Sequence, residues 1–203
     1  SVNRGIDPRD TTLIAFGGCL GINEFDVLIA GGGVIGLSCA WRAAQRGLSV
    51  CVVERERAGS GATDVAAGML APVGEASWGE ESLLRLNLAS HALWPGFAEE
   101  LERESGAASG FARIGALHVA LDRDETEELR RQHELHREHG LESEWLAPSA
   151  CRELEPGLAP SVAGGVLAPH EGAADPRQLS AALVAALAAR GANLVEGAEV
   201  AEA

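Results

Sequence analysis

Three glycines in the run GGGVIG, Gly31, Gly33 and Gly36, have the spacing G-x-G-x-x-G. Glycines at this spacing allow a tight turn, a close approach of the backbone to a pyrophosphate, and close packing of a helix on a sheet. Glu54 lies about 20 residues further on, where an acidic side chain can accept hydrogen bonds from the ribose of a dinucleotide. Because a strand-like apolar run precedes the glycines and helix formers follow them, we predict a site for an adenine dinucleotide.

The identity of the dinucleotide is less defined, because NAD and FAD proteins share this unit. Arg55 and Arg57 could indicate a 2′-phosphate, but the carboxylate of Glu54 would repel it. These residues therefore favour a cofactor without a 2′-phosphate, and the motif alone leaves NAD and FAD open.

The stretch GSGATDVAAGMLAP, residues 59–72, offers little side-chain bulk apart from Met69 and Leu70. A hydrophobic core would need larger residues here, and a linker would not usually end in the compact run AAGML. We infer that another group comes close to this backbone. The pattern also predicts that a helix begins near Asp64.

Other sets of reactive side chains are weaker candidates. His133, His136 and His139 recur at a spacing that makes them neighbours on a helix, but nothing nearby completes a metal site, so we expect a solvated helix face. Ser38 and Ser60 have no Ser-His-acid signature around them. We therefore assign no metal site and no catalytic residue.

The cysteines carry no pairing signal. Cys19, Cys39, Cys51 and Cys151 contain no C-x-x-C motif and are too few for a secreted disulfide scaffold. Reduced thiols are expected, with Cys39 and Cys51 as small buried hydrophobic residues.

Charge and composition narrow the range of partners. The 16 basic and 30 acidic residues give a formal net charge of −14, which disfavours nucleic acid and anionic lipid. Every basic residue is Arg, so Schiff-base and P-loop lysine chemistry are excluded for these residues. No apolar run is long enough to span a bilayer, and residues 11–23 match a signal peptide poorly. We expect a cytoplasmic protein with no nucleic-acid or membrane partner.

Hydrophobic patterning predicts the elements that would position these residues. Residues 25–30 and 48–54 are predicted to be buried strands, and 34–46 a helix closed by Gly47, which together make one βαβ unit. The pattern further predicts helices over 80–105, 123–139 and 176–190, and strands over 115–121, 164–169 and from 193 onward. The predicted apolar face of the first of these helices consists of Leu83, Leu84, Leu86, Leu88, Leu93, Phe97 and Leu101.

Three segments together carry a resemblance to a known family. DVLIAGGGVIGLSCAWRAAQRGLSVCVVER, GATDVAAGMLAP and DPRQLSAALVAALAARGANLVEGAEV resemble the D-amino-acid-oxidase-like flavoproteins, and among them the glycine-oxidising members. The resemblance runs from about Phe25 to the end of the chain. It implies FAD as the cofactor, and it implies that the run AAGMLAP passes beside the flavin ring.

The resemblance also implies roles for individual residues. The pyrophosphate would meet the helix N-terminus and the residues before Asp64, the ribose would meet the end of the second strand, and the flavin would border the small-residue run. The residues are Val34, Ile35, Ala62 and Thr63 at the pyrophosphate, Glu54 and Arg55 at the ribose, Ala67, Gly68 and Met69 at the flavin, and Val200 at the adenine end through its backbone. Ala62 and Asp64 replace residues that often carry hydroxyl groups in the family.

The implied fold is α/β: a Rossmann-like FAD-binding βαβ unit with an interleaved α+β substrate domain, of which the C-terminal half is missing. We expect a poorly ordered leader over 1–24, the first part of the FAD-binding domain over 25–110, the start of the substrate domain over 111–170, and a truncated return to the FAD-binding domain over 171–203.

The implied activity is FAD-dependent oxidative deamination of glycine, or a similar small amine, to an imine or 2-oxo acid in thiamine biosynthesis, with oxygen reduced to hydrogen peroxide. Alternatives are an amine oxidase acting on sarcosine, proline or a D-amino acid, and a dinucleotide-binding fragment without catalysis. The family's substrate-binding Arg and Tyr are expected beyond Val200, so this chain alone is expected to be inactive. A homo-oligomer of the whole enzyme is left open.

Overall fold

The computed structural model of the protein describes residues 25–200, so the predicted leader over 1–24 lies outside the described residues. Along the chain the elements are β1 (Val27–Ala30), α1 (Val34–Gln45), β2 (Val50–Glu54), β3 (Met69–Leu70), α2 (Glu81–Ser105), β4 (Phe111–Arg113), β5 (Ala116–Ala120), α3 (Arg123–Glu138), β6 (Glu144–Leu146), α4 (Pro148–Leu154), β7 (Gly164–Ala168), β8 (Gly172–Ala174), α5 (Pro176–Ala189) and β9 (Asn193–Glu196). The predicted mixed α/β fold is confirmed.

The described residues form two compact units. The first unit contains residues 25–67, 98–110 and 175–200, and the second contains 68–97 and 111–174. The assignment of cofactor and substrate roles to segments of the chain stays a prediction.

The first unit is built on a parallel sheet with the strand order β1-β2-β9. Val27 pairs with Val50 at the start of β1, and Cys51 pairs with Asn193 at the start of β9. Parallel neighbours need a crossover, and α1 supplies it between β1 and β2. The predicted βαβ unit, β1-α1-β2, is therefore confirmed. Helix α1 packs on α5, the helix that precedes the third strand of the sheet, β9.

Strand β2 is buried along most of its length, whereas β1 is only partly buried. The prediction that β1 is buried on both faces is therefore wrong for the described residues. The reason is its position: among residues 25–200, β1 lies at the edge of the sheet and β2 at the centre.

The second unit contains two small antiparallel sheets, with strand orders β3-β8-β4 and β5-β7-β6. In the first of them, Met69 and Leu70 lie opposite Ala173 and Gly172. Helix α3 begins at a side-chain cap, where Asp122 accepts a hydrogen bond from the Glu125 N–H, and Gly140 with φ of +66° follows its end. The predicted helix over 123–139 and strands over 115–121 and 164–169 are confirmed.

Three local predictions are wrong. No helix begins at Asp64, because residues 61–65 form consecutive turns in which the Asp64 N–H bonds the Gly61 carbonyl. Cys39 is exposed, since it lies on the outer side of α1, while Cys51 is buried as expected and burial raises the pKa of its thiol. The apolar face of α2 is only partly used: Leu84 and Leu101 are buried, but Leu83, Leu86 and Leu93 are exposed.

A membrane span needs a long and strongly apolar helix, and no helix within residues 25–200 has both properties.

Candidate functional site

The glycine turn between β1 and α1 is shaped by its own packing at two positions. Gly31 has φ of +102°, a left-handed conformation that favours glycine, and its N–H donates to the Val53 carbonyl over 2.8 Å. A Cβ on Gly36 would overlap the Gly31 carbonyl oxygen. These two glycines are therefore required for the turn itself and for the close approach of the helix.

Gly33 is different, because the surrounding protein does not exclude a side chain there. A Cβ at this position would meet the Thr63 hydroxyl oxygen at 3.4 Å, which is an ordinary contact. Gly33 is also the N-cap of α1 and supplies no capping side chain to the first N–H groups of the helix. A glycine that the fold itself does not demand, at a helix N-terminus whose N-cap residue supplies no capping side chain, fits a position where a phosphate approaches the backbone.

Thr63 lies at this same helix N-terminus. Its hydroxyl oxygen accepts a hydrogen bond from the Val34 N–H over 3.1 Å, so two residues predicted at the pyrophosphate are in direct contact. The neighbouring Ile35 is 75% exposed despite its apolar side chain. Ala62 is exposed and carries no hydroxyl, as expected from the sequence.

Asp64, the other departure from the family pattern, forms an ion pair with Arg177 at 3.0 Å. Sequence reasoning missed this pair because the two residues are 113 positions apart, and no local pattern links them. The pair connects the turns over 61–65 to the first turn of α5.

Glu54 ends β2 with its carboxylate beside the glycine turn. One carboxylate oxygen accepts the Gly32 N–H over 2.6 Å and the other accepts the Glu56 N–H over 3.0 Å. The hydrogen bonds from Glu56 and Gly32 hold the pKa of Glu54 below its ordinary value. An ionised carboxylate has about four lone-pair positions, so two bonds still leave acceptor capacity for ribose hydroxyls. Arg55 is exposed next to it.

The end of β9 lies beside the end of β2, on the side of β2 away from β1. The Glu196 carboxylate accepts the Ala58 N–H over 2.7 Å, and the Ala198 N–H donates to the Glu54 carbonyl over 3.0 Å. Glu196 was not singled out in the sequence, and its distance from Ala58 along the chain explains why. Val200 follows this turn, partly buried and outside any strand, and its contact with the adenine end stays a prediction.

The residues predicted at the flavin fall in two units and are described separately. In the first unit, Ala67 is exposed. In the second, Gly68 has φ of +74°, and its carbonyl accepts the Ala174 N–H over 2.9 Å. Met69 begins β3 and is 63% exposed, so its backbone is held by β8 while its side chain points away from the core.

The histidines of α3 do not form the solvated face that the sequence predicts. His136 is 1% exposed, and its Nδ1 and that of His133 each lie 3.0 Å from the Ser143 hydroxyl. Burial lowers the pKa of both imidazoles. Within residues 25–200, no group of three or more His, Cys, Asp or Glu side chains is arranged to hold a metal ion.

Comparison with known proteins gives a family match over nearly all of the described chain. The sequence model of the family described as "DAO: FAD dependent oxidoreductase" matches residues 26–203. Glycine oxidase of Geobacillus kaustophilus is 37% identical over 179 residues, which are 88% of this chain and 47% of that protein. Mitochondrial sarcosine dehydrogenase of Homo sapiens is 32% identical over 177 residues, 86% of this chain and 18% of that protein.

The fold shows the same relationship. The crystal structure of glycine oxidase from Geobacillus kaustophilus superposes with a TM-score of 0.81 at 38% identity, covering 85% of this chain and 46% of that one. The chain thus spans about half the length of the glycine oxidase that it matches, and less of the sarcosine dehydrogenase.

Proposed function

Because the chain belongs to the DAO family of FAD-dependent oxidoreductases, we propose that it is the FAD-binding part of an enzyme that oxidises a small amine. Glycine is the proposed substrate, and the proposed products are a 2-oxo acid, ammonia and, from oxygen, hydrogen peroxide. The observation that carries the proposal is the grouping of Gly33, Thr63 and Glu54 around the N-terminus of α1. A role in thiamine biosynthesis is proposed on the resemblance to the glycine-oxidising members of the family.

The residues at the helix N-terminus suit a pyrophosphate. The first N–H groups of α1 have no acceptor within the helix, and the helix dipole adds a partial positive charge at this end. Gly33 and Ile35 would offer their backbone N–H groups. The Val34 N–H donates to the Thr63 hydroxyl oxygen, and that hydroxyl would in turn donate its hydrogen to the pyrophosphate. Backbone dipoles matter here because the chain as a whole has a net charge of −14 and contains no Lys.

Glu54 suits the adenosine ribose. Its carboxylate is ionised and fixed by two backbone N–H groups, so it is an oriented acceptor for the ribose hydroxyls. The same charge would repel a 2′-phosphate, which favours FAD over a phosphorylated dinucleotide.

FAD, when bound, would supply the redox chemistry by accepting two electrons from the amine and passing them to oxygen. The residues of this chain would bind and orient the cofactor, and Gly68 and Met69 would border its ring. This division of labour needs no catalytic acid or base from these residues.

A related substrate is the second candidate. The similarity to a sarcosine dehydrogenase covers almost the same share of the chain as the similarity to glycine oxidase, so similarity alone does not distinguish a primary from a secondary amine as the substrate. Sarcosine, proline and D-amino acids therefore remain alternatives, as does dinucleotide binding without catalysis.

The test uses the full-length protein that contains this sequence. The protein is purified, and its visible absorption spectrum is recorded to detect bound flavin. Peroxide release is then measured with glycine, sarcosine, proline and D-alanine at equal flavin occupancy. Flavin absorption with the highest kcat/KM for glycine supports the proposal. If another of the amines gives the highest kcat/KM, that amine replaces glycine as the proposed substrate. Bound flavin that none of the amines reduces under anaerobic conditions favours the non-catalytic alternative, whereas reduction of the flavin without release of peroxide indicates a dehydrogenase.

A further inference from the structure

Glu171 is a buried acidic residue that no motif in the sequence singles out. It is 1% exposed and lies directly before β8 in the second unit. One of its carboxylate oxygens accepts two backbone hydrogen bonds, from the Val73 N–H over 2.6 Å and from the Gly74 N–H over 2.7 Å. A buried carboxylate that is held by two N–H groups fixes the backbone that supplies them.

The residues after Glu171 continue along the same segment. Gly172 and Ala173 lie opposite Leu70 and Met69 in the β3-β8 pairing. The Ala174 N–H then donates to the Gly68 carbonyl over 2.9 Å. We call residues 171–174 the clamp, because they contact the chain at intervals from residue 68 to residue 74.

The clamp is itself held in place. The backbone carbonyl of Glu171 accepts hydrogen bonds from the Ile114 N–H over 3.2 Å and the Gly115 N–H over 2.8 Å. A Cβ on Gly172 would come within 2.7 Å of the Ala112 carbonyl oxygen, so β8 lies close against β4. The clamp therefore has little freedom to follow the 68–74 segment if that segment moves.

The far end of the 68–74 segment is fixed from another direction as well. The Gly74 carbonyl accepts a hydrogen bond from the Gln132 side chain over 2.6 Å. A Cβ on Gly74 would overlap the imidazole of His118. Glu171 and Gln132 thus hold the N–H and the carbonyl of the same residue.

We propose that Glu171 is a positioning residue for the flavin, which fixes the backbone of residues 68–74 and thereby the placement of Gly68 and Met69 against the ring. This inference rests on the proposed function, since only the binding of FAD by these residues gives the clamp its role. Glu171 acts through the backbone of the 68–74 segment and does not itself contact the substrate or the cofactor in this proposal.

The main test is Glu171→Gln in the flavin-loaded protein. Glutamine has nearly the same shape, but its neutral oxygen is the weaker acceptor for the two N–H groups. It also places an NH₂ donor at the other carboxylate oxygen, which has no hydrogen-bond partner among the described residues. Glu125→Gln is the matched control, because Glu125 also bonds a backbone N–H, that of Leu121 over 2.7 Å, on a different loop.

Two properties are compared. The mobility of the segment is measured by hydrogen exchange of peptides covering residues 68–75, and the placement of the flavin is measured by the Kd for FAD and the midpoint potential of the bound flavin. For Glu171→Gln we expect faster exchange in those peptides, a Kd for FAD raised by about tenfold and a shifted potential. Glu125→Gln should leave both unchanged. Unchanged exchange, or faster exchange with unaltered flavin affinity and potential, overturns the proposal.

Two further outcomes keep the test decisive. If Glu171→Gln does not fold, Glu171→Asp is used instead: it keeps the charge but draws the carboxylate back by one methylene from the Val73 and Gly74 N–H groups, and the same changes are expected with smaller size; their absence overturns the proposal. If the unsubstituted protein does not bind FAD, the proposed function fails and the positioning role fails with it. Binding of FAD without any response to either substitution rejects the positioning role alone.

Discussion

Replacing Glu54 by glutamine tests the ribose assignment with a change of one charge. The glutamine oxygen can accept the N–H of Gly32 or that of Glu56, while its NH₂ group faces the other N–H. One bond that Glu54 now makes is therefore lost, and the free energy of unfolding should fall by about 1 kcal/mol.

The loss of cofactor affinity should be larger than this. A hydrogen bond from a ribose hydroxyl to an ionised acceptor contributes about 1.5 to 3 kcal/mol, which corresponds to a Kd for FAD raised by roughly tenfold to a hundredfold. Glu56→Gln is the matched control, because Glu56 is an exposed neighbour that lies outside the predicted site.

The assay is a fluorescence titration of the flavin-free protein with FAD, with urea unfolding of the same samples. The two measurements separate a loss of affinity from a loss of stability. If Glu54→Gln and Glu56→Gln bind FAD equally well, Glu54 does not hold the ribose, and the assignment made from the motif is wrong.

Three further predictions concern the flavin border, acid stability and activity. Gly68→Leu should weaken FAD binding much more than Gly68→Ala. Both side chains strain the backbone at φ of +74°, but only leucine would fill the space that we assign to the flavin ring. Equal FAD binding by the two variants would show that Gly68 does not border the ring. Hydrogen bonds from Arg190 lower the pKa of Glu104 to about 2, so the stability that this ion pair contributes is complete above the ordinary pKa of a glutamate and is lost as the pH falls toward 2. In urea unfolding, Glu104→Gln should therefore reduce the fall in the free energy of unfolding over this pH range. An unchanged fall contradicts a stabilising role for the Glu104–Arg190 pair. Residues 1–203 alone should release no peroxide from glycine with excess FAD, and turnover matching that of a longer chain would place the catalytic groups within the printed sequence.

The parts of the fold that the sequence predicts are those with long, regular patterns. The βαβ unit, α3 and α5 each have a hydrophobic period and a recognisable end such as Gly47, Asp175 or Gly140. The elements that the patterns miss, β3, β4, β6, β8 and α4, are two to seven residues long. Over so few residues, neither a period of two nor one of 3.6 can be distinguished.

The candidate site follows the same division. The glycine turn and Glu54 could be found because their spacing is local and carries its own physical meaning. The contacts of Glu171 with Val73 and of Asp64 with Arg177 join residues 98 and 113 positions apart, and such pairs exist only after the chain has folded. The helix predicted near Asp64 is wrong because Gly61 and its small neighbours form turns instead.

The different reasons for Gly33 and Gly36 have a consequence for how such sequences diverge. Gly36 is needed by the folded chain whether or not a ligand binds, whereas an alanine at Gly33 would meet only an ordinary contact. A descendant that no longer used a cofactor could therefore acquire a side chain at Gly33 but would retain Gly36. In a related sequence, Gly36 would therefore indicate that the fold is retained, and Gly33 that the cofactor site is retained. A sequence with Gly36 but with a side chain at position 33 would be a candidate pseudoenzyme.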